Sequence, residues 1–94
     1  MPKDQSKKRL ETLREEIRGI DDEIIRLVVK RMEIAQGIGA AKRAAGVAIL
    51  DAEREAFNRK HSKEIAAGVL PGALVDELTD LLAKWARDAQ AKPK

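Results

Sequence analysis

From Leu10 onward the apolar residues run Leu10, Leu13, Ile17, Ile20, Ile24, Leu27, then position 31, then Ile34, Ile38 and Ala41, with spacings that alternate three and four without a break. That rhythm is a heptad seam, and it predicts one helix from about Ser6 to about Ala45, where Gly46 supplies a C-terminal stop. Such a helix would run about 55 Å, whereas a compact domain of 94 residues has a radius of gyration of only about 12 Å. The seam is too long for the rest of the chain to cover, so its remainder calls for a second copy and predicts an intertwined helical homodimer. A plain antiparallel coiled coil satisfies the same pattern. Gly19, Gly37 and Gly39 interrupt the helix at about 1 kcal/mol each relative to Ala, and point to close packing or backbone approach.

Two shorter helices follow. Asp51 reads as an N-cap with Glu53 and Glu55 in the first turn, where the macrodipole favours acid, and that helix should run to about Ala67, before Gly68. Its apolar face is thin, reduced to Ala52, Ala56, Phe57 and Ile65. After the turn Val69-Leu70-Pro71-Gly72, a third helix carries Leu74, Leu78, Leu81, Leu82, Trp85 and Ala89 on one stripe. Fifteen alanines, no Tyr and few β-branched residues leave no material for a sheet, so the fold class is all-α. We expect one domain over residues 1–94 with three helices, one very long and two shorter, and with about 1–6 and 91–94 frayed.

Composition also narrows the chemistry. Without Cys, thiol nucleophiles, thiolate metal sites and disulfides are excluded, and the lone His61 cannot make a His-rich metal site. Any site is built from Arg, Lys, Asp, Glu, Gln and backbone, with no metal and no cofactor expected. A net charge of +3, interspersed along the chain, reads as a mixed-charge surface and not a nucleic-acid footprint. The polar N-terminus is not followed by an apolar signal region, and no 18-residue apolar stretch occurs, so a cytoplasmic chain without a membrane partner is expected.

Some residues break the pattern. Arg31 occupies a seam position whose neighbours in register are Ile, Leu or Ala. Burying an unpaired guanidinium costs several kcal/mol, so it must meet a carboxylate of the protein or of a ligand. An interhelical ion pair or a register-fixing role explains it equally well. Lys42 lies eleven residues on, about 17 Å along nearly the same face, with the small or apolar Ala35 and Ile38 between. The pair could grip opposite ends of a small anion, although a solvated helix-end lysine is the simpler reading of Lys42 alone. Asp51, Arg54 and Glu55 read singly as capping and surface charge, and Gln90, one turn after Ala86, as a surface residue.

Jointly these residues resemble the all-helical chorismate mutases, chorismate mutase type II, over nearly the whole chain. The likeness rests on Leu13-Arg14-Glu15-Glu16-Ile17, Ile20-Asp21, Leu27, Lys30-Arg31, Ala35 to Lys42 with Gly39 three before the lysine, and Asp51-Ala52-Glu53-Arg54-Glu55. The resemblance implies the rearrangement of chorismate to prephenate on the route to Phe and Tyr. It makes Arg14 the arginine that enters the neighbouring subunit's site, Arg31 the resident carboxylate-binding arginine, and Lys42 the contact to the ether oxygen and a carboxylate. It makes Asp51 the residue whose backbone lies near the substrate hydroxyl, Arg54 a supporting arginine, Glu55 the hydroxyl-binding carboxylate and Gln90 the second donor to the ether oxygen. His61 matches no site position of the family.

In one straight helix Arg14 and Lys42 would stand about 42 Å apart, so a common small ligand would need them from two chains. Two departures stand out: Ala86 where the family usually has Ser, and Ala48 where it commonly has Pro. The missing hydroxyl removes a hydrogen bond worth about 1.5 to 3 kcal/mol to a carboxylate. The same scaffold resembles isochorismate-pyruvate lyase, in whose pattern the hydroxyl-binding Glu is not kept, whereas Glu55 is present here. A mutase acting on 4-amino-4-deoxychorismate fits the pattern as well. A non-enzymatic helical dimerisation module would explain the heptads but not the arginine that interrupts them.

Overall fold

The computed structural model describes residues 2–92. It is all-helical, with α1 (Lys3–Ala45), α2 (Ala52–Ala66) and α3 (Gly72–Ala91), and no strand among the described residues. The seam's helix therefore forms as its spacing predicts, but it begins at Lys3 and not near Ser6. The Ser6 amide donates to the Pro2 carbonyl at 3.1 Å, and Asp4 stands in the first turn, where the dipole favours acid. Met1, Pro93 and Lys94 lie outside the described residues, so only part of the expected fraying at the two ends falls within them.

Both glycine stops are used. Gly46 takes φ +70°, which L side chains rarely adopt, while its amide donates to the Arg43 carbonyl and the Val47 amide to the Lys42 carbonyl. That is a Schellman closure of α1. Gly68 takes φ +80° just after α2. At the other end of α2, the Asp51 carboxylate accepts from the Arg54 amide at 2.9 Å, as expected of an N-cap.

The chain divides into two units, one reaching to Lys30 and the other beginning at Arg31. In the first, no described side chain is buried. The seam residues Leu13 and Leu27 are 40% and 65% exposed, and Leu10, Ile17, Ile20 and Ile24 fall between them. In the second, the buried apolar residues are Ala35, Val75 and Ala89, joined by Gly39 and Gln90. No large side chain is fully buried among the described residues, so this core is thin. Of the expected α3 stripe, Ala89 is buried and Leu82 and Trp85 are half-buried, whereas Leu74, Leu78 and Leu81 remain exposed.

Gly39 explains how the second unit closes. A Cβ placed there would lie 2.2 Å from the Gln90 carbonyl oxygen and 2.6 Å from the Gln90 Cα, closer than real Cβ atoms come to backbone. Only glycine lets this part of α1 meet the end of α3, and Arg43 Nη1 secures the meeting by donating to the Gln90 carbonyl at 2.6 Å. Elsewhere α2 is tied to α3 by Arg59 to Asp80 at 2.6 Å and Lys63 to Asp76 at 2.9 Å. Among the described residues no helix is long and apolar enough to cross a membrane.

Candidate active site

All three helices of the second unit border one cavity of about 600 Å³, well within the range of small-molecule sites. Its position follows from periodicity. On α3 the lining residues Thr79, Leu82, Ala83, Ala86 and Gln90 fall on one face, and on α2 Arg54, Glu55, Asn58 and Ser62 do the same. The late part of α1 adds Arg31, Ile38 and Lys42, and the connection to α2 adds Ile49 and Asp51.

Seven of the residues singled out in the sequence thus meet at one place: Arg31, Lys42, Asp51, Arg54, Glu55, Ala86 and Gln90. Arg14 does not join them. It belongs to the first unit, is exposed, and is not a lining residue.

The charges of the wall are unevenly matched. Asp51 is spent on capping α2, and the Glu55 Oε1 accepts from Arg87 Nη1 at 2.5 Å. Arg59 is committed to Asp80, whose hydrogen bond and charge raise the guanidinium above its ordinary pKa. Arg31, Lys42 and Arg54 have no carboxylate partner among the described residues. Arg31 Nη1 donates to the Leu82 carbonyl at 3.0 Å and Lys42 Nζ to the Ile49 carbonyl at 2.7 Å, while the Arg54 guanidinium lies 5.7 Å from the centre of the Phe57 ring. Among the described residues, then, the seam arginine makes a carbonyl contact instead of an ion pair. Three cations anchored by neutral groups leave an excess of positive charge facing the cavity, which suits an anionic ligand.

Gln90 contributes the neutral polar group. It is 7% exposed, and its Oε1 has no hydrogen-bond partner, a state that costs free energy until a donor arrives. Ala86 lies one turn before it and presents only a methyl group to the cavity. No group of three or more His, Cys, Asp or Glu among the described residues is placed to hold a metal ion.

Sequence reasoning missed several participants. His61 lines the cavity, its ring stacked on Phe57 with centroids 6.0 Å apart, so a residue outside the family's site pattern belongs to this wall. Asn58 and Ser62 were legible in principle, since they continue the α2 face that bears Arg54 and Glu55. Arg87 and Arg43 were not, because each acts through a partner that only the packing of the helices brings near.

Three comparisons with known proteins bear on this geometry. The family model described as chorismate mutase type II matches residues 13–91. A curated protein of Aquifex aeolicus (strain VF5), named bifunctional chorismate mutase/prephenate dehydratase, is 41% identical over 66 residues, covering 66% of this chain and 18% of that relative. The chain therefore corresponds to less than a fifth of that relative's length. No solved structure matches.

Proposed function

The chain belongs to the chorismate mutase type II family, and from that premise we propose that it rearranges chorismate to prephenate, acting as a homodimer. The observation that carries this reading is the cavity in which Arg31, Lys42, Glu55 and Gln90 converge.

The reaction shifts an enolpyruvyl group through a cyclic transition state. No proton moves and no covalent enzyme intermediate forms, so a nucleophile has no task. What accelerates it is holding a flexible dicarboxylate in its folded chair and placing donors where the breaking ether bond becomes electron-rich. Arg31 suits a substrate carboxylate because its guanidinium fork matches carboxylate geometry, and Lys42 supplies a compact charge that serves a carboxylate and the ether oxygen. The Gln90 amide donates to the same ether oxygen without needing to ionise. Glu55 accepts the ring hydroxyl, Asp51 brings its backbone near that hydroxyl, and Arg54 supports the carboxylate end. Ala86 contributes shape alone.

In this proposal a second copy provides Arg14. Two observations support the dimer: the seam up to Lys30 is uncovered in the single chain, and the thin core of the second unit leaves most large apolar side chains exposed. A second copy laid along the seam would cover such a stripe with its own, as a two-fold interface requires.

Incubating the purified protein with chorismate while following the loss of its ultraviolet absorbance tests the reading. Formation of prephenate at a rate proportional to enzyme supports it. Unchanged chorismate, or release of pyruvate in place of prephenate, overturns it.

A further inference from the structure

Glu55 reaches the cavity from the first turn of α2, and Arg87 of α3 takes hold of one of its oxygens. The distance from Arg87 Nη1 to Glu55 Oε1 is 2.5 Å, with the two side chains 36% and 24% exposed. Arg87 is not a lining residue, although Ala86 before it is. One position along a helix is a rotation of about 100°, so Arg87 meets Glu55 from outside the cavity wall. Glu55 Oε2 has no hydrogen-bond partner among the described residues. A carboxylate carries about four acceptor positions, so gripping one oxygen fixes the group's rotation and leaves the other free to accept.

We infer that Arg87 is a positioning residue: it holds Glu55 by Oε1 so that Oε2 faces the cavity to accept the ring hydroxyl of the substrate. This rests on the chorismate reading above. The Lys63–Asp76 bridge between the same helices lacks this arrangement, since neither residue lines the cavity. Lys63 therefore serves as a control that shares the structural role alone.

The hydroxyl contact exists in the bound substrate and in the transition state alike, so its loss should fall on KM more than on kcat. In steady-state assays with chorismate, Arg87→Ala should raise KM about 10- to 100-fold, the usual scale for a hydrogen bond to a charged group, with kcat changed by less than about threefold. Arg87→Lys should recover most of that loss. In a Glu55→Ala background the Arg87→Ala substitution should add nothing further, and Lys63→Ala should leave KM unchanged. A variant that merely folds less well would show the opposite split, a lower apparent kcat from fewer active molecules with KM unaltered, and that result overturns the inference.

A second measurement separates this inference from the functional reading. In the unliganded protein, the Arg87 guanidinium should give separate 15N signals for its two terminal nitrogens, because the ion pair slows their exchange, and these should merge in Glu55→Gln. If wild-type protein fails to turn over chorismate yet shows this signature, the chorismate reading fails and the Arg87–Glu55 clamp stands. If the signals are merged in wild type, the clamp itself is refuted.

Discussion

From Lys3 to Lys30 the chain is a helix with an apolar seam and no buried side chain. From Arg31 onward lie all the buried residues, and all the side-chain hydrogen bonds from one helix to another, among the described residues. The heptad seam stays exposed along both stretches of α1, with Ile20 56% and Ile34 55% exposed. Beyond Lys30 the chain covers a neighbouring face instead, where Ala35 is 4% exposed and Gly39 is buried. Periodicity tells which face of a helix must be covered. It does not tell which molecule covers it: in the proposed dimer a second copy covers the seam, while the chain's own α2 and α3 close over the face that borders the cavity.

The sharpest way to break this contrast is to charge the seam. Ile17→Asp combined with Ile24→Asp would bury two unpaired carboxylates in the proposed dimer, at a cost of several kcal/mol each. Sedimentation should then show a monomer, and turnover should vanish with it. A doubly charged seam that leaves the protein dimeric would mean that some other surface assembles it.

Next in size are the cations beyond Lys30. Arg31→Ala and Lys42→Ala should each lower kcat/KM by about 10²- to 10³-fold, Lys42 through the charge developing at the ether oxygen and Arg31 through its grip on a substrate carboxylate, with the dimer intact by sedimentation. Arg31 donates to a carbonyl and pairs with no carboxylate among the described residues, so removing it should leave the melting temperature of the unliganded protein unchanged or raised. A large fall in melting temperature would assign Arg31 to structure instead.

Two glycines on α1 extend the comparison to smaller effects. Gly39→Ala forces a methyl into the Gln90 backbone and should destabilise the protein by about 3 kcal/mol, the upper end of ordinary overpacking, measured by denaturant unfolding. Gly19 has nothing within 4 Å of its would-be Cβ, so Gly19→Ala should stabilise by about 1 kcal/mol through helix propensity alone. Equal effects at the two positions would erase the distinction between the uncovered and covered parts of α1.

These glycines also mark how far the sequence could be read. The seam, the glycine stops at Gly46 and Gly68 and the Asp51 cap are local features, and spacing and backbone chemistry suffice to find them. Gly39 could be suspected of a close approach, but its partner, the Gln90 backbone, depends on how α3 returns after Pro71. Seven of the eight candidate site residues share one unit's cavity; they were legible through the family resemblance, since singly Asp51, Arg54, Glu55 and Gln90 read as capping or surface residues. Arg87 escaped because it does not line the cavity and acts only through Glu55, and the Leu82 carbonyl that receives Arg31 is a backbone group with no signature in the sequence. The start of α1 was missed for a smaller reason: Pro2 and Asp4 open a helix as well as Ser6 does.

The central claim is that the uncovered stretch of one copy completes the cavity of another, and complementation tests it most directly. Arg14→Ala protein and Lys42→Ala protein should each be nearly inactive. Unfolded together in equal amounts and refolded, half of the dimers should be mixed, each with one site that escapes both substitutions, so activity should return to about a quarter of wild type. Mixed dimers that are demonstrably present and remain inactive would contradict the account.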